Sequence, residues 1–245
     1  MTLSLKKLIL AAIFCMPAIF SATVCPADVA VLDRVTTVDT PIRITVLTKS
    51  RFFSDGGRLV DLYLEGEHLK RILTGGDGYG YFKITPRSPG YKNIKARSGS
   101  DSAEGLLLVL TKKERAIVIE VEEGFKTAIF SEAVKQDSLA AVKTLSKTYK
   151  IIYLSRYVGK SITASWLEKQ GYPASVILGW QGSGTLAAMK KKGIKLHALI
   201  GSAAVLTAAA GIVENRYTFE KSKDGTVVKD WQEILKRLPE EEKQE

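Results

Sequence analysis

Cysteine is nearly absent from this chain: two residues in 245, Cys15 and Cys25, both within the first 27 positions. If that segment leaves, the remainder has no thiol and no disulfide framework is available to it. Histidine is equally scarce. His68 and His197 stand in different halves, which excludes a zinc cluster built on imidazoles. A Ser-His-Asp arrangement would have to draw His197 out of an expected strand. Acids are missing from residues 1–27, and the longest apolar stretch there, "LILAAIFCMPAIF", is broken by Pro17. It falls short of the ~20 apolar residues that a membrane-spanning helix needs.

A basic pair, Lys6-Lys7, then a short apolar core and a small-residue exit describe a secretory leader over residues 1–27. Val24 and Ala27 suit the positions before a cut ahead of Asp28, and Ala22 marks an alternative. Val24 before Cys25 is a poor match to a lipoprotein box. The expected product is exported, periplasmic or secreted in a bacterium, with no membrane span after leader cleavage. Retention of the segment as an anchor is the alternative. The net charge of +10 becomes +8 without Lys6 and Lys7. Basic residues are spread along the chain, with "MKKKGIK" (189–195) as a local cluster and no aromatic-basic stripe, which argues against nucleic acid. An anionic envelope component or a phosphorylated ligand is the more plausible partner, and a solubilising surface charge is the plainer reading.

Residues 28–112 have the grammar of short strands. "PIRITVL" alternates apolar and polar, "RLVDLYLEGEHLKRI" reads as a hairpin about Gly66, and "GYGYFKITP", "YKNIKARSG" and "EGLLLVL" follow, separated by turn residues. An antiparallel sandwich is expected, with Tyr79, Tyr81 and Phe82 in its core. "GGRLVDLYLEGEHL" and "GDGYGYFKITPRSPGYKNIKA" resemble bacterial immunoglobulin-like domains of exported proteins.

Past Lys112 the grammar changes. "RAIVIEV" and "KIIYLS" are continuous apolar runs of the kind buried on both faces of a parallel sheet. They alternate with helical patterns in "DSLAAVKTLSKTY", with Asp137 or Ser138 as N-cap, in "GKSITASWLEKQGYP", "SGTLAAMKKKG", "AAVLTAAAGIV" and "VKDWQEILKRL". "ASVILG", "KLHALIGS" and "NRYTFE" supply further strands. Residues 113–238 therefore read as an α/β three-layer domain, followed by a charged tail at 239–245. Ligands in such sheets sit beyond the carboxyl ends of the strands. Glu120, Glu122 and Glu123 fall at that edge, either as a solvated strand end or as part of a reaction centre. "GWQGSG" (179–184) is a plain loop or a phosphate cradle at the next helix; it lacks the Lys-Ser/Thr ending of a nucleotide loop.

The run "AIVIEVEEGF", the serine of "YLSRY" and the segment "WLEKQGYPASVILG" together resemble the haloacid dehalogenase superfamily, in its lipin-like and phosphatidylinositol-transfer-protein-associated branch. The resemblance implies a Rossmannoid parallel sheet and magnesium-dependent phosphatase chemistry. It puts Glu120 at the nucleophile position, Glu122 at the acid/base position and Ser155 at the second motif, with Glu120 and Glu122 as the magnesium side. The motifs are degenerate. Glutamate replaces aspartate twice, and one methylene displaces a carboxylate by about 1 Å, enough to cost about a hundredfold. The lysine position falls near Ser183 or Gly184, with Lys190 two turns on. Ser202 and Leu206, beside Thr207, stand where acids follow the fourth strand. The expectation is an exported pseudoenzyme with a binding or structural role. The alternatives are a magnesium-dependent phosphohydrolase and an adhesin-like protein that binds through its sandwich.

Overall fold

The computed structural model describes residues 28–50, 54–128 and 130–238. The expected leader (1–27) and charged tail (239–245) lie outside them. Among the described residues no helix is long and apolar enough to cross a membrane.

The N-terminal half is a two-sheet β-sandwich. One sheet joins β1 (Asp28–Val31), β3 (Ile42–Lys49) and β6 (Tyr79–Ile84) in the order β1-β3-β6. The other holds β2 (Arg34–Thr37), β8 (Asp101–Leu110), β7 (Gly90–Ser98), β4 (Leu59–Leu64) and β5 (Glu67–Leu73), in the order β2-β8-β7-β4-β5. Period-two alternation puts Ile44, Val46, Ile94, Ala96, Leu107 and Val109 into the core between them. The β4–β5 hairpin turns on Glu65 and Gly66, both at positive φ, the geometry whose twist matches the flanking strands. One departure from the all-antiparallel expectation is β2, which pairs parallel with β8. The chain changes sheets between Val31 and Arg34, so β2 runs alongside β8 instead of folding back on β1. The aromatic expectation is met in part: Phe82 packs against the sandwich core, whereas Tyr81 is exposed and carries the Arg43 guanidinium 4.5 Å above its ring.

The second half has a six-stranded sheet, all parallel, in the order β11-β10-β9-β12-β13-β14. Its strands are β9 (Arg115–Glu120), β10 (Lys150–Ser155), β11 (Ile177–Gly179), β12 (Lys195–Ile200), β13 (Asn215–Thr218) and the short β14 (Thr226–Val227). The continuous apolar runs serve two cores. Ile117, Ile119, Ile151 and Tyr153 face α2 (Ser138–Leu145), α3 (Lys160–Lys169) and α6 (Trp231–Arg237). Val118, Ile152, Leu154 and Leu199 face α4 (Ser183–Lys191) and α5 (Ala203–Ala208). Three layers result. The helix expected over 203–213 is shorter, and α1 (Val121–Phe125) and β14 carry no periodicity long enough to announce them. Asp137 precedes α2 in the left-handed region without capping it; the Ser138 hydroxyl instead binds the Lys135 carbonyl and Tyr172.

The two halves share a core. Leu108 and Leu110 alternate with the inward residues of β8, point out of the sandwich and pack with Val35 against Leu178, Leu186 and Met189. Burying one such side chain is worth about 1.5–3 kcal/mol. Asp33, 3 % exposed, stands at the seam. Its Oδ1 accepts from Leu106 N at 2.8 Å and Lys160 Nζ at 2.5 Å, and its Oδ2 accepts from Ile177 N at 2.8 Å. Lys160 Nζ also donates to the Val31 and Glu104 carbonyls.

Candidate functional site

The chain leaves β9 toward β10 on one side and reaches β12 on the other, so the switch in strand order falls between β9 and β12. A crevice is expected there at the carboxyl ends. The glutamates stand at that place, and they are not solvated: Glu120 is 1 % exposed and Glu122 3 %. β9 ends at Glu120, and Glu122 sits on α1, a helical turn that carries it back under the end of β10.

Glu122 is bound on several sides. Its Oε1 accepts from Arg156 N and Tyr157 N, each at 3.2 Å, and lies 3.1 Å from the Ser155 hydroxyl. Ser155 Oγ also lies 2.8 Å from the Val158 carbonyl and accepts from the Thr163 hydroxyl. Glu122 is therefore the acceptor that closes the turn after β10. Glu120 reaches the other way, across the crevice. Its Oε2 accepts from Ser202 N and Ser202 Oγ, both at 2.7 Å, and Arg156 Nη1 donates to the same Ser202 hydroxyl at 3.2 Å. Gly201 makes room for this contact, since a Cβ there would come within 3.0 Å of Glu120 Oε2. Burial raises the Glu120 pKa above the ordinary carboxylate value, and Glu122 adds to the rise; the two Ser202 bonds and Arg156 oppose it.

Glu120, Glu122 and Ser155 thus meet in one place, together with Ser202. The other expected positions do not join them. Lys190 donates to the Gly211 carbonyl. Leu206 is buried in the apolar core, and the Thr207 hydroxyl binds the Ala203 carbonyl and Asp224. The ammonium near the acids is one that sequence reasoning missed. Lys135, in the segment before α2, donates to the Glu123 and Lys126 carbonyls, each at 2.7 Å, and stands 5.1 Å from the Phe219 ring centre. Burial lowers its pKa, against the charges of Glu123, Glu220 and Glu120. Burial raises that of Glu123, and Lys135 opposes the rise. "EAVKQDS" contains no signal for this placement. Arg156, by contrast, was legible as the residue after Ser155.

The donors here do not fit magnesium, which takes near-octahedral oxygens including one or two carboxylates. Glu122 already accepts three donors, and Glu120 is turned to Ser202. Among the described residues no three Asp, Glu, His or Cys side chains converge as a cation site. The weak magnesium binding expected of Glu120 and Glu122 would have to displace these hydrogen bonds to neighbouring elements.

No family model matches the chain, and no curated protein does. Some solved structures are similar over about a third of it. The CARDB domain of PF1109 from Pyrococcus furiosus is 18 % identical with a TM-score of 0.29, over 34 % of this chain and 93 % of that one. The D00-D0 domain of intimin is 13 % identical with a TM-score of 0.28, over 34 % and 46 %. Domain I10 of titin is 12 % identical with a TM-score of 0.26, over 33 % and 97 %. At such scores the assignment of the sandwich rests on the strand topology described above.

Proposed function

We propose that the chain is an exported two-domain protein whose second half is a degenerate haloacid dehalogenase-like domain, serving binding or structure and not phosphoryl transfer. The strand order, with acids at the end of the central strand and a serine at the end of its neighbour, supports the ancestry. One observation carries the loss of activity: both carboxylates are engaged by protein donors, Glu122 by the turn after β10 and Glu120 by Ser202. A nucleophile held in that way is not aimed at phosphorus, and phosphoryl transfer depends on positioning and charge stabilisation. The leader-like composition of residues 1–27 supports export.

The test is turnover of p-nitrophenyl phosphate by the purified protein with magnesium. The expected result is a rate indistinguishable from that of the Glu120→Ala variant. Magnesium-dependent turnover that Glu120→Ala abolishes would overturn the proposal. It would favour the second reading, a phosphohydrolase, for which Lys135 among Glu120, Glu123 and Glu220 is the one supporting feature.

A further inference from the structure

A cavity lies in the seam between the halves, touching the glutamate cluster only through Ser155. It has a volume of about 390 Å³, within the range of small-molecule sites. One wall is a single face of α4 and its flanks: Gln181, Gly184, Thr185, Ala188 and Lys192 recur at helical spacing, and the small ones leave the groove open. The facing wall is the sandwich edge at Leu32, Arg34 and Tyr79, and the floor reaches Ser155 and Gly179 at the carboxyl ends of β10 and β11.

Three cations and one carboxylate line this groove among the described residues. Asp33 is matched by Lys160, whose ammonium is saturated by Asp33 and the carbonyls of Val31 and Glu104. Arg34 and Lys192 remain without a carboxylate bonded to them among the described residues. Arg34 Nε and Nη2 donate to the Arg43 carbonyl and the Thr45 hydroxyl, and Nη1 has no acceptor there. Lys192 Nζ donates to the Val35 carbonyl at 3.3 Å and has two further protons to offer. Burial, with the charge of Arg34, pulls the Lys192 ammonium down to about 8. Burial, and then the charge of Arg43, also lowers Arg34, against Asp33 and Tyr81. Two half-buried cations that repel each other therefore line one groove, an arrangement that attracts negative charge.

We infer that the groove between β2 and α4 binds a small phosphate monoester, its phosphoryl group held by Arg34 and Lys192 and its body lying along the face of α4. A monoester carries about −1.5 to −2 at neutral pH, which matches two cations that have no carboxylate bonded to them; a single carboxylate does not. The inference stands whether or not the α/β half descends from a phosphatase, because it uses none of Glu120, Glu122 or Ser202.

Titration calorimetry with glycerol 3-phosphate, at constant ionic strength set by sodium chloride, tests it. Saturable binding is expected, weakened about tenfold or more in Lys192→Gln and in Arg34→Gln. It should be unchanged in Arg156→Gln, which alters the cation at the Glu120 edge. Malate should bind more weakly than the phosphate ester. The inference is overturned if no saturable binding is seen, if both groove variants bind as the parent does, if Arg156→Gln alone abolishes binding, or if malate binds equally well. If Arg34→Gln does not fold, Lys192→Gln decides, since Lys192 is only half-buried at the end of α4.

Discussion

Glu120 shows how a single carboxylate becomes a structural group. It interrupts an apolar strand, is fully buried, and meets two donors from one serine. Its raised pKa has a definite sign: the fold favours the protonated form, so the stability this group contributes is present below the ordinary carboxylate value and is lost as pH rises through the folded value. Glu120→Gln keeps an acceptor for Ser202 and removes that loss. Urea denaturation should show the variant gaining on the parent from about pH 4 to about pH 7. Glu120→Ala leaves the half-buried Ser202 N–H and hydroxyl without that acceptor, and should lower stability by about 1 kcal/mol at neutral pH. An equal loss in the glutamine and alanine variants at pH 7 would contradict this account.

At the scale of elements, the turn after β10 and the turn after β12 are each organised by an acid from β9 or α1. Glu122 holds the N–H groups of Arg156 and Tyr157, so Glu122→Ala should cost about 2–3 kcal/mol and speed amide exchange at those two residues. Exchange that stays slow there would show that the turn stands without the carboxylate. Gly201→Ala tests the other junction. Its Cβ would press on Glu120 Oε2, and overpacking of that kind costs about 1–3 kcal/mol. A double-mutant cycle should show most of that penalty vanishing in the Glu120→Ala background; additive losses would place the clash elsewhere. The "LLLVL" run of β8 belongs to this scale as well. Its alternate residues enter two different cores, and for that reason it lacks the polar face of an ordinary sandwich strand.

For the molecule as a whole, Asp33 is the residue on which the joining of the halves turns. Asp33→Ala removes the acceptor of two backbone N–H groups and the partner of the part-exposed Lys160 ammonium, a loss of about 1–3 kcal/mol. Calorimetry should replace one cooperative unfolding transition with two, because the shared core is then the remaining tie. A single transition, shifted or not, would mean that Val35, Leu108 and Leu110 suffice.

Periodicity alone established the alternation of strands and helices, the change of grammar near Lys112, and the place of Glu120 and Glu122 at a carboxyl sheet edge, because burial on one or two faces imprints itself on neighbouring residues along the chain; Ser155 was joined to them by the family resemblance. The parallel seat of β2, the turn of Glu120 onto Ser202, the arrival of Lys135, and the meeting of Arg34 with Lys192 were decided by tertiary structure. Each joins residues far apart in the sequence, and a contact of that kind is set by how elements pack, not by any local pattern.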